Sequence, residues 1–406
     1  MDILRSPVSA VRFFNGGGTR SRSCSTRRFN VRANLPFPQQ HAKYFKELEA
    51  AVDVVQRACH LCINVKSSLF STDGKILEKN DHTPVTVADF GVQGLISLEL
   101  GKLFPSIPLV AEEDSAFLRS RNLADTVLSA ITATVSSTCK PLTQDDVLEA
   151  IDRGGQDAFT FGPKPATYWV LDPIDGTRGF LKAGRALYVV GLALVVEGEI
   201  VIGVMGCPNW EEDSSENFSA GIEENWDSLR RSGTVMIAHK GCGTWMKRLN
   251  SQPESPSVWT RCFVDGSNIV DKARFCIPDS QTWESLPLSS LFKATNNVDK
   301  VGNDQILLLG TCCGSLCKYL MVASGRASIF ILRAKEKTTI KAWDHAVGMI
   351  CIHEAGGKVT DWIGSEVDLA ADEANRRIIF PSGGVLVTNG KLHDRILQII
   401  YQTSTL

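Results

Sequence analysis

Six acids stand where apolar runs end or helices begin: Asp89, Glu112, Glu113, Asp172, Asp175 and Asp344. The densest case is YWVLDPIDGTRGF, residues 168–180, where an apolar run closing at Leu171 delivers Asp172 and Asp175 into a Pro-Ile-Asp-Gly-Thr loop. Asp, Pro and Gly are ordinary turn residues, so each acid taken singly reads as a cap, a turn residue or a solvated charge. Asp344 in KAWDHAVG could cap its helix, and Glu112-Glu113 could form an exposed acidic corner. Gathered by a layered fold, the same acids make an all-oxygen site for a hard divalent cation. Magnesium prefers such carboxylates and carbonyls and commonly bridges to a substrate phosphate. Like charges held together without a cation repel one another, so a metal explains why the chain tolerates them.

The elements that must position these acids follow from hydrophobic period. Helical spacing from Tyr44 to about Ser68 predicts an amphipathic helix, and a second follows Pro84 with Thr86 or Asp89 near its start. SIPLVAEED reads as a short strand ending in acids, and residues 116–165 as a polar, partly helical insertion with little sign of a separate core. YVVGLALVVEGEIVIGVMGCP predicts a hairpin with Glu197-Gly198-Glu199 at its turn. Residues 209–232 read as an acidic surface loop. Beyond them VMIAHK, CKYLMVASGR, ASIFILR, WDHAVGMICIHEAGG and GGVLVTNG alternate strands with helices, which favours a layered α/β architecture.

Composition narrows the function classes. A chain of 406 residues, 43% apolar and 22% charged, can bury a large core as one big domain or two packed lobes. A net charge of −2 argues against a protein that coats nucleic-acid polymers. The longest apolar run, LYVVGLALVV, stops at Glu197, well short of the ~20 residues a membrane-spanning helix needs. Twelve cysteines, including Cys59-x-x-Cys62 and the adjacent Cys312-Cys313, are expected as buried thiols rather than a disulfide framework or a zinc site. The first 33 residues hold seven arginines, many serines and a single acid, Asp2. That composition predicts an organellar transit peptide for a mitochondrion or a chloroplast, with a disordered basic arm as the alternative.

DPIDGT, with PVTVAD and EED before it and WDHAVG and HEAGG after it, resembles the lithium-sensitive, magnesium-dependent phosphatases. That superfamily includes inositol monophosphatases, fructose bisphosphatases and bisphosphate nucleotidases, and the likeness runs from about residue 44 to 400. It implies a five-layer α/β/α/β/α sandwich, with a metal-binding lobe over 34–208 and a substrate-binding lobe over 209–406. Carried over by motif, the ligands for two or three Mg²⁺ ions are Glu112, Asp172, the Ile174 carbonyl, Asp175 and Asp344. Asp89 and the Thr177 hydroxyl would orient the attacking water, and Gly176 would let phosphate approach closely.

Within the superfamily the chain is most similar to the 3′(2′),5′-bisphosphate nucleotidases. The long insertion before Asp172, GSLCKYLMVASG and IKAWDHAVGMICIHEAGGKVTDW carry that likeness. It implies removal of the 3′-phosphate of adenosine 3′,5′-bisphosphate, with its 5′-phosphosulfate analogue as a further substrate, and inhibition by lithium. Ser315, Lys318, Arg333, Gly176, Thr177 and Asp344 become the expected substrate contacts. Trp283 stands where the subfamily carries a ligand-contacting histidine; its ring could stack on a purine but cannot carry charge. Two other readings stay open: an inositol phosphate phosphatase, and a non-catalytic sensor of nucleotide bisphosphates under cysteine redox control.

Overall fold

The structure, a computed structural model, describes residues 35–71, 77–78, 84–134, 141–182, 186–210, 233–249, 258–297, 305–311, 313–335 and 339–404. The expected transit segment and most of the expected 209–232 loop lie outside these residues. Leu48, Val52, Val55, Cys59 and Cys62 recur at helical spacing and become the buried side of α1 (Phe45–Ser71). A short antiparallel pair, β1 (Leu77–Glu78) and β2 (Pro84–Val85), leads to α2 (Val87–Leu103). Most of α2 is buried on every side, because α1 packs on one flank and the insertion on another. The insertion forms α3 (Ala116–Arg121), α4 (Ala124–Thr132) and α5 (Gln144–Asp152). Its Val127, Ile131, Val147 and Ile151 join the core of α1 and α2, so it builds no core of its own.

A seven-stranded sheet runs in chain order: β3 (Leu109–Ala111), β4 (Tyr168–Asp175), β5 (Val189–Val196), β6 (Glu199–Cys207), β7 (Thr234–His239), β8 (Gly243–Arg248) and β9 (Thr260–Cys262). β3 and β4 are parallel and every later neighbour is antiparallel. The β5–β6 turn needs two residues, Glu197 and Gly198, both at positive φ; Glu199 already pairs with Val196. A five-residue helix, α6 (Thr177–Leu181), follows β4.

The second sheet contains β10 (Arg274–Cys276), β11 (Lys293–Thr295), β12 (Gln305–Leu309), β13 (Ile329–Arg333), β15 (Lys358–Asp361) and β17 (Gly384–Thr388), in the order β11-β12-β10-β13-β17-β15. A small pair, β14 (Ile340–Lys341) with β16 (Ile378–Ile379), stands apart. The helices of this half are α7 (Ser315–Ala323), α8 (Ala346–Glu354) and α9 (His393–Ser404). The sheets change hands between Cys262 and Arg274.

Period-two alternation resolves the layers. Val190, Leu192 and Leu194 of β5 face the α1–α2 core, whereas Val189, Ala193 and Val195 face a second core shared with α7 and α8. Phe330 of β13 and Val387 of β17 close that second core, while Ile329, Ile331 and Leu386 face a third against α9. Helix, sheet, helix, sheet, helix is the resulting sequence of layers. The described cysteines are free thiols except Cys313, which is disulfide-bonded, an exception to the all-thiol expectation.

Candidate active site

β4 does not stop at Leu171. It pairs with β5 on through Asp175, with a shift of register between Asp172 and Asp175. Pro173 sits inside that irregularity, where the ladder asks for no donor. The result is a strand end that turns both aspartates toward the same place. Asp172, Asp175 and Asp344 each offer a carboxylate oxygen there, all within 4.8 Å of one another. Asp344 is not the helix cap it could have been, since His345 occupies the N-cap position of α8.

Burial and mutual repulsion govern the charges. Burial, then Asp175, Glu112 and Asp344, hold the Asp172 carboxyl well above the usual carboxylate range, and a hydrogen bond joins it to Asp344. Asp344 is raised in the same way, by burial first and by Asp175 and Glu112 next. Asp175 is pushed up to about 7 by burial, with Lys318 and two amides opposing the shift. Asp172 Oδ1 is buried with no hydrogen-bond partner. An orphaned carboxylate oxygen in an all-oxygen cluster of mutually repelling acids fits a divalent cation, which would satisfy the oxygen and remove the repulsion. Glu112 stands beside the three, half-buried, close enough for its charge to act on each of them.

Asp89 serves two partners. Its Oδ2 accepts from the Thr86 amide and hydroxyl, both at 2.7 Å, closing a capping box at the start of α2. Its Oδ1 lies 3.1 Å from the Thr177 hydroxyl, which is also 3.2 Å from the Ile174 carbonyl. The sequence-expected group of Asp89, Ile174 and Thr177 therefore meets at one point. Gly176 has φ +88°, and a side chain there would come within 2.8 Å of the Gly314 nitrogen.

Ser315 enters the site through its backbone. Its amide and that of Leu316 donate to the two oxygens of Asp175 at 3.1 and 2.6 Å, so the start of α7 seats a protein carboxylate. Gly314 makes room: a Cβ on it would lie 2.0 Å from Asp175 Oδ2. Lys318 is fully buried and its ammonium donates to the Cys313 and Gly314 carbonyls at 2.7 and 3.1 Å. Arg333 turns to the Ser285 carbonyl at 2.6 Å, and Gln281 bonds both the amide and the carbonyl of Arg333. Trp283 offers no stacking face to a purine. It is buried in the third core, edge-on to Phe275, with its indole nitrogen donating to Phe292.

Two supporting residues were not singled out from the sequence. Gln93, fully buried, accepts from the Glu113 amide and donates to the Glu113 and Ile151 carbonyls. Its signal was present, since it lies one helical turn past Asp89 on α2. Tyr319 bonds His345 Nδ1 through its hydroxyl at 2.9 Å and so ties α7 to the residue after Asp344. Burial lowers the His345 pKa to about 3, which keeps the ring neutral.

The pattern of the inositol monophosphatase family matches residues 44–405. The chain is 61% identical over 397 residues to an Arabidopsis thaliana protein provisionally named a mitochondrial 3′(2′),5′-bisphosphate nucleotidase, covering 98% of this chain and 97% of that one. It is 32% identical over 389 residues to a 3′,5′-bisphosphate nucleotidase of the same plant, covering 87% and 96%. A 3′(2′),5′-bisphosphate nucleotidase of Oryza sativa is 33% identical over 369 residues, covering 88% and 94%. In structure the chain is similar to a Thermotoga maritima IMPase, with a TM-score of 0.51 at 18% identity over 89% of this chain and 98% of that one, a likeness of fold.

Proposed function

The chain belongs to the inositol monophosphatase family, and within it we propose a phosphomonoesterase that removes the 3′-phosphate of adenosine 3′,5′-bisphosphate to give AMP. The observation that carries this reading is the cluster of Asp172, Asp175 and Asp344 beside the Asp89–Thr177 pair, in a chain so close to a relative bearing the nucleotidase name. We assign Mg²⁺, two or three ions, to Glu112, Asp172, the Ile174 carbonyl, Asp175 and Asp344. Bound there, magnesium supplies charge to offset the phosphate oxygens and acidifies a bound water.

The protein's own part is orientation and proton handling. Thr177, donating to Asp89, leaves its oxygen lone pairs to accept from an attacking water and line it up with phosphorus. The second Asp89 oxygen is pinned by the cap of α2, so the pair is held rather than rotating. Water adds to phosphorus as the bond from phosphorus to the 3′-oxygen breaks; the water's proton passes toward Asp89, and the departing 3′-oxygen takes a proton from solvent to leave as the hydroxyl. Gly176 gives the phosphate a close backbone approach. We assign the second phosphate to the side bearing Ser315, Lys318 and Arg333, with the earlier lobe supplying most metal acids and the later one the substrate contacts. Targeting of the chain to the mitochondrion belongs to the same proposal, supported by the arginine-rich first 33 residues and the mitochondrial name of the 61% relative.

Among the described residues no helix is long and apolar enough to cross a membrane. The test is phosphate release with Mg²⁺ by the chain beginning at Asn34, comparing kcat/KM for adenosine 3′,5′-bisphosphate and inositol 1-phosphate. A ratio strongly favouring the nucleotide supports the proposal. A ratio favouring inositol phosphate keeps the metal site and overturns the substrate, and release from neither points to a non-catalytic binder.

A further inference from the structure

The acids of the site come from separate elements, so their spacing depends on what fixes those elements to one another. Glu112 follows β3 at one edge of the seven-stranded sheet, whereas Asp344 lies between β14 and α8. We propose that Arg377 is a positioning residue that holds the Glu112 segment and the Asp344 segment in register, and thereby sets the metal affinity of the site.

One side chain reaches both. The Arg377 guanidinium lies 4.8 Å over the ring of Trp343, the residue before Asp344. Its Nη2 donates to the Ala111 carbonyl at 2.5 Å and the Glu112 carbonyl at 3.4 Å, and its Nη1 donates to the Gly154 carbonyl at 3.1 Å. Gly154 is itself tied to this segment, since its carbonyl also accepts the Ala111 amide at 2.9 Å. The Arg377 backbone completes the link. Its carbonyl accepts from the Ala342 amide at 2.9 Å, which extends the β14–β16 pairing to within two residues of Asp344. Its amide donates to Asp372 at 3.0 Å, fixing where the side chain starts.

The residue type matters. A planar fork with five N–H donors can serve three carbonyls while its face lies on an aromatic ring; a lysine ammonium is a point charge without a face. Gln93 grips the Glu113 peptide from α2, so Glu112 is flanked by Gln93 on its C-terminal side and Arg377 on its N-terminal side. Arg377 touches none of the three clustered acids, and its effect passes through the backbone that carries the ligands. Its neighbour Arg376 supplies the contrast. That side chain is fully buried and donates to the Ala370, Gly162 and Lys164 carbonyls, none adjacent to a ligand.

The inference rests on the metal reading above, and the experiment separates the two. Mn²⁺ binding to the full chain is measured by loss of the free-ion EPR signal for wild type, Arg377→Lys and Arg376→Lys, with the melting temperature of each. Outer contacts of this kind are worth roughly 10–100-fold in metal affinity, so Arg377→Lys should weaken Mn²⁺ binding by at least about tenfold. Its KM for the nucleotide at saturating Mg²⁺ should stay within about twofold of wild type, because the lost contact acts on the metal acids. Arg376→Lys should lower the melting temperature and leave Mn²⁺ affinity unchanged. Unchanged Mn²⁺ affinity in Arg377→Lys overturns the inference, as does an equal loss in Arg376→Lys. Absence of Mn²⁺ binding in wild type instead overturns the metal reading. Should Arg377→Lys not fold, Trp343→Leu removes the ring beneath the guanidinium: weaker Mn²⁺ binding supports the inference and unchanged binding overturns it.

Discussion

The Thr177 hydroxyl lies 3.1 Å from Asp89 Oδ1, while Asp89 Oδ2 closes the capping box of α2 with Thr86. One carboxylate thus has an oxygen that closes the cap and another that faces Thr177, and substitutions can separate the two. Thr177→Val removes only the hydroxyl. It should lower kcat by roughly 10²–10⁴-fold, the usual worth of a positioned proton-transfer group, with no change in melting temperature. Asp89→Asn should lower kcat and also cost about 0.5–1.5 kcal/mol of stability, because a neutral amide oxygen accepts more weakly from Thr86 than a carboxylate does. Urea unfolding and steady-state rates measured on both variants check this.

Asp172→Asn keeps volume and removes one of the charges that repel within the cluster. Turnover should fall below detection with the fold intact, and the metal-free variant should be at least as stable as wild type. Circular dichroism with a phosphate-release assay decides it. Near-normal activity would overturn the metal assignment.

Asp175 carries its proton up to about 7 in the folded chain against an ordinary value of 3.8. A carboxyl raised by folding contributes fully below its unfolded pKa and loses that contribution as the pH climbs through the folded one. The metal-free protein should therefore lose stability relative to Asp175→Asn between about pH 4 and pH 7. Saturating Mg²⁺ should abolish the difference. Melting curves of both proteins across that window, with chelator and with Mg²⁺, are the measurement.

Gly314→Ala places a Cβ 2.0 Å from Asp175 Oδ2, so the α7 seat for that carboxylate must open. The expected cost is about 1–3 kcal/mol, with a larger loss in kcat than in KM. Calorimetry and steady-state kinetics test the pairing of the two effects.

Lys318→Ala should raise KM for adenosine 3′,5′-bisphosphate much more than for a substrate with one phosphate. Because the ammonium also braces the Cys313 and Gly314 carbonyls, a drop in melting temperature should accompany it. Equal changes in KM for both substrates would remove Lys318 from the second-phosphate side.

Local features were legible and distant partnerships were not. Alternation in YVVGLALVV fixes which residues face which core, and the spacing of Asp172 and Asp175 marks them as a pair. The pairing of β4 through Asp175 was missed because a proline ordinarily ends a strand, and only the register shift accommodates it. Trp283 was misplaced for a different reason. Position in a motif does not reveal which way a ring turns, and Phe275 and the Phe292 carbonyl draw this one inward. Arg377 gave no signal at all, since its partners at Ala111, Glu112 and Trp343 are remote in sequence or ordinary in type.

Asp175 accepts from an amide 140 positions further along the chain. A ribosome that has delivered DPIDGT has yet to make the residues that seat one of its acids, and Asp344 comes later still. The nascent chain therefore carries its acids without the amides that hold them, and a product truncated before α7 would be inert. The cluster can be complete only once synthesis has passed Asp344.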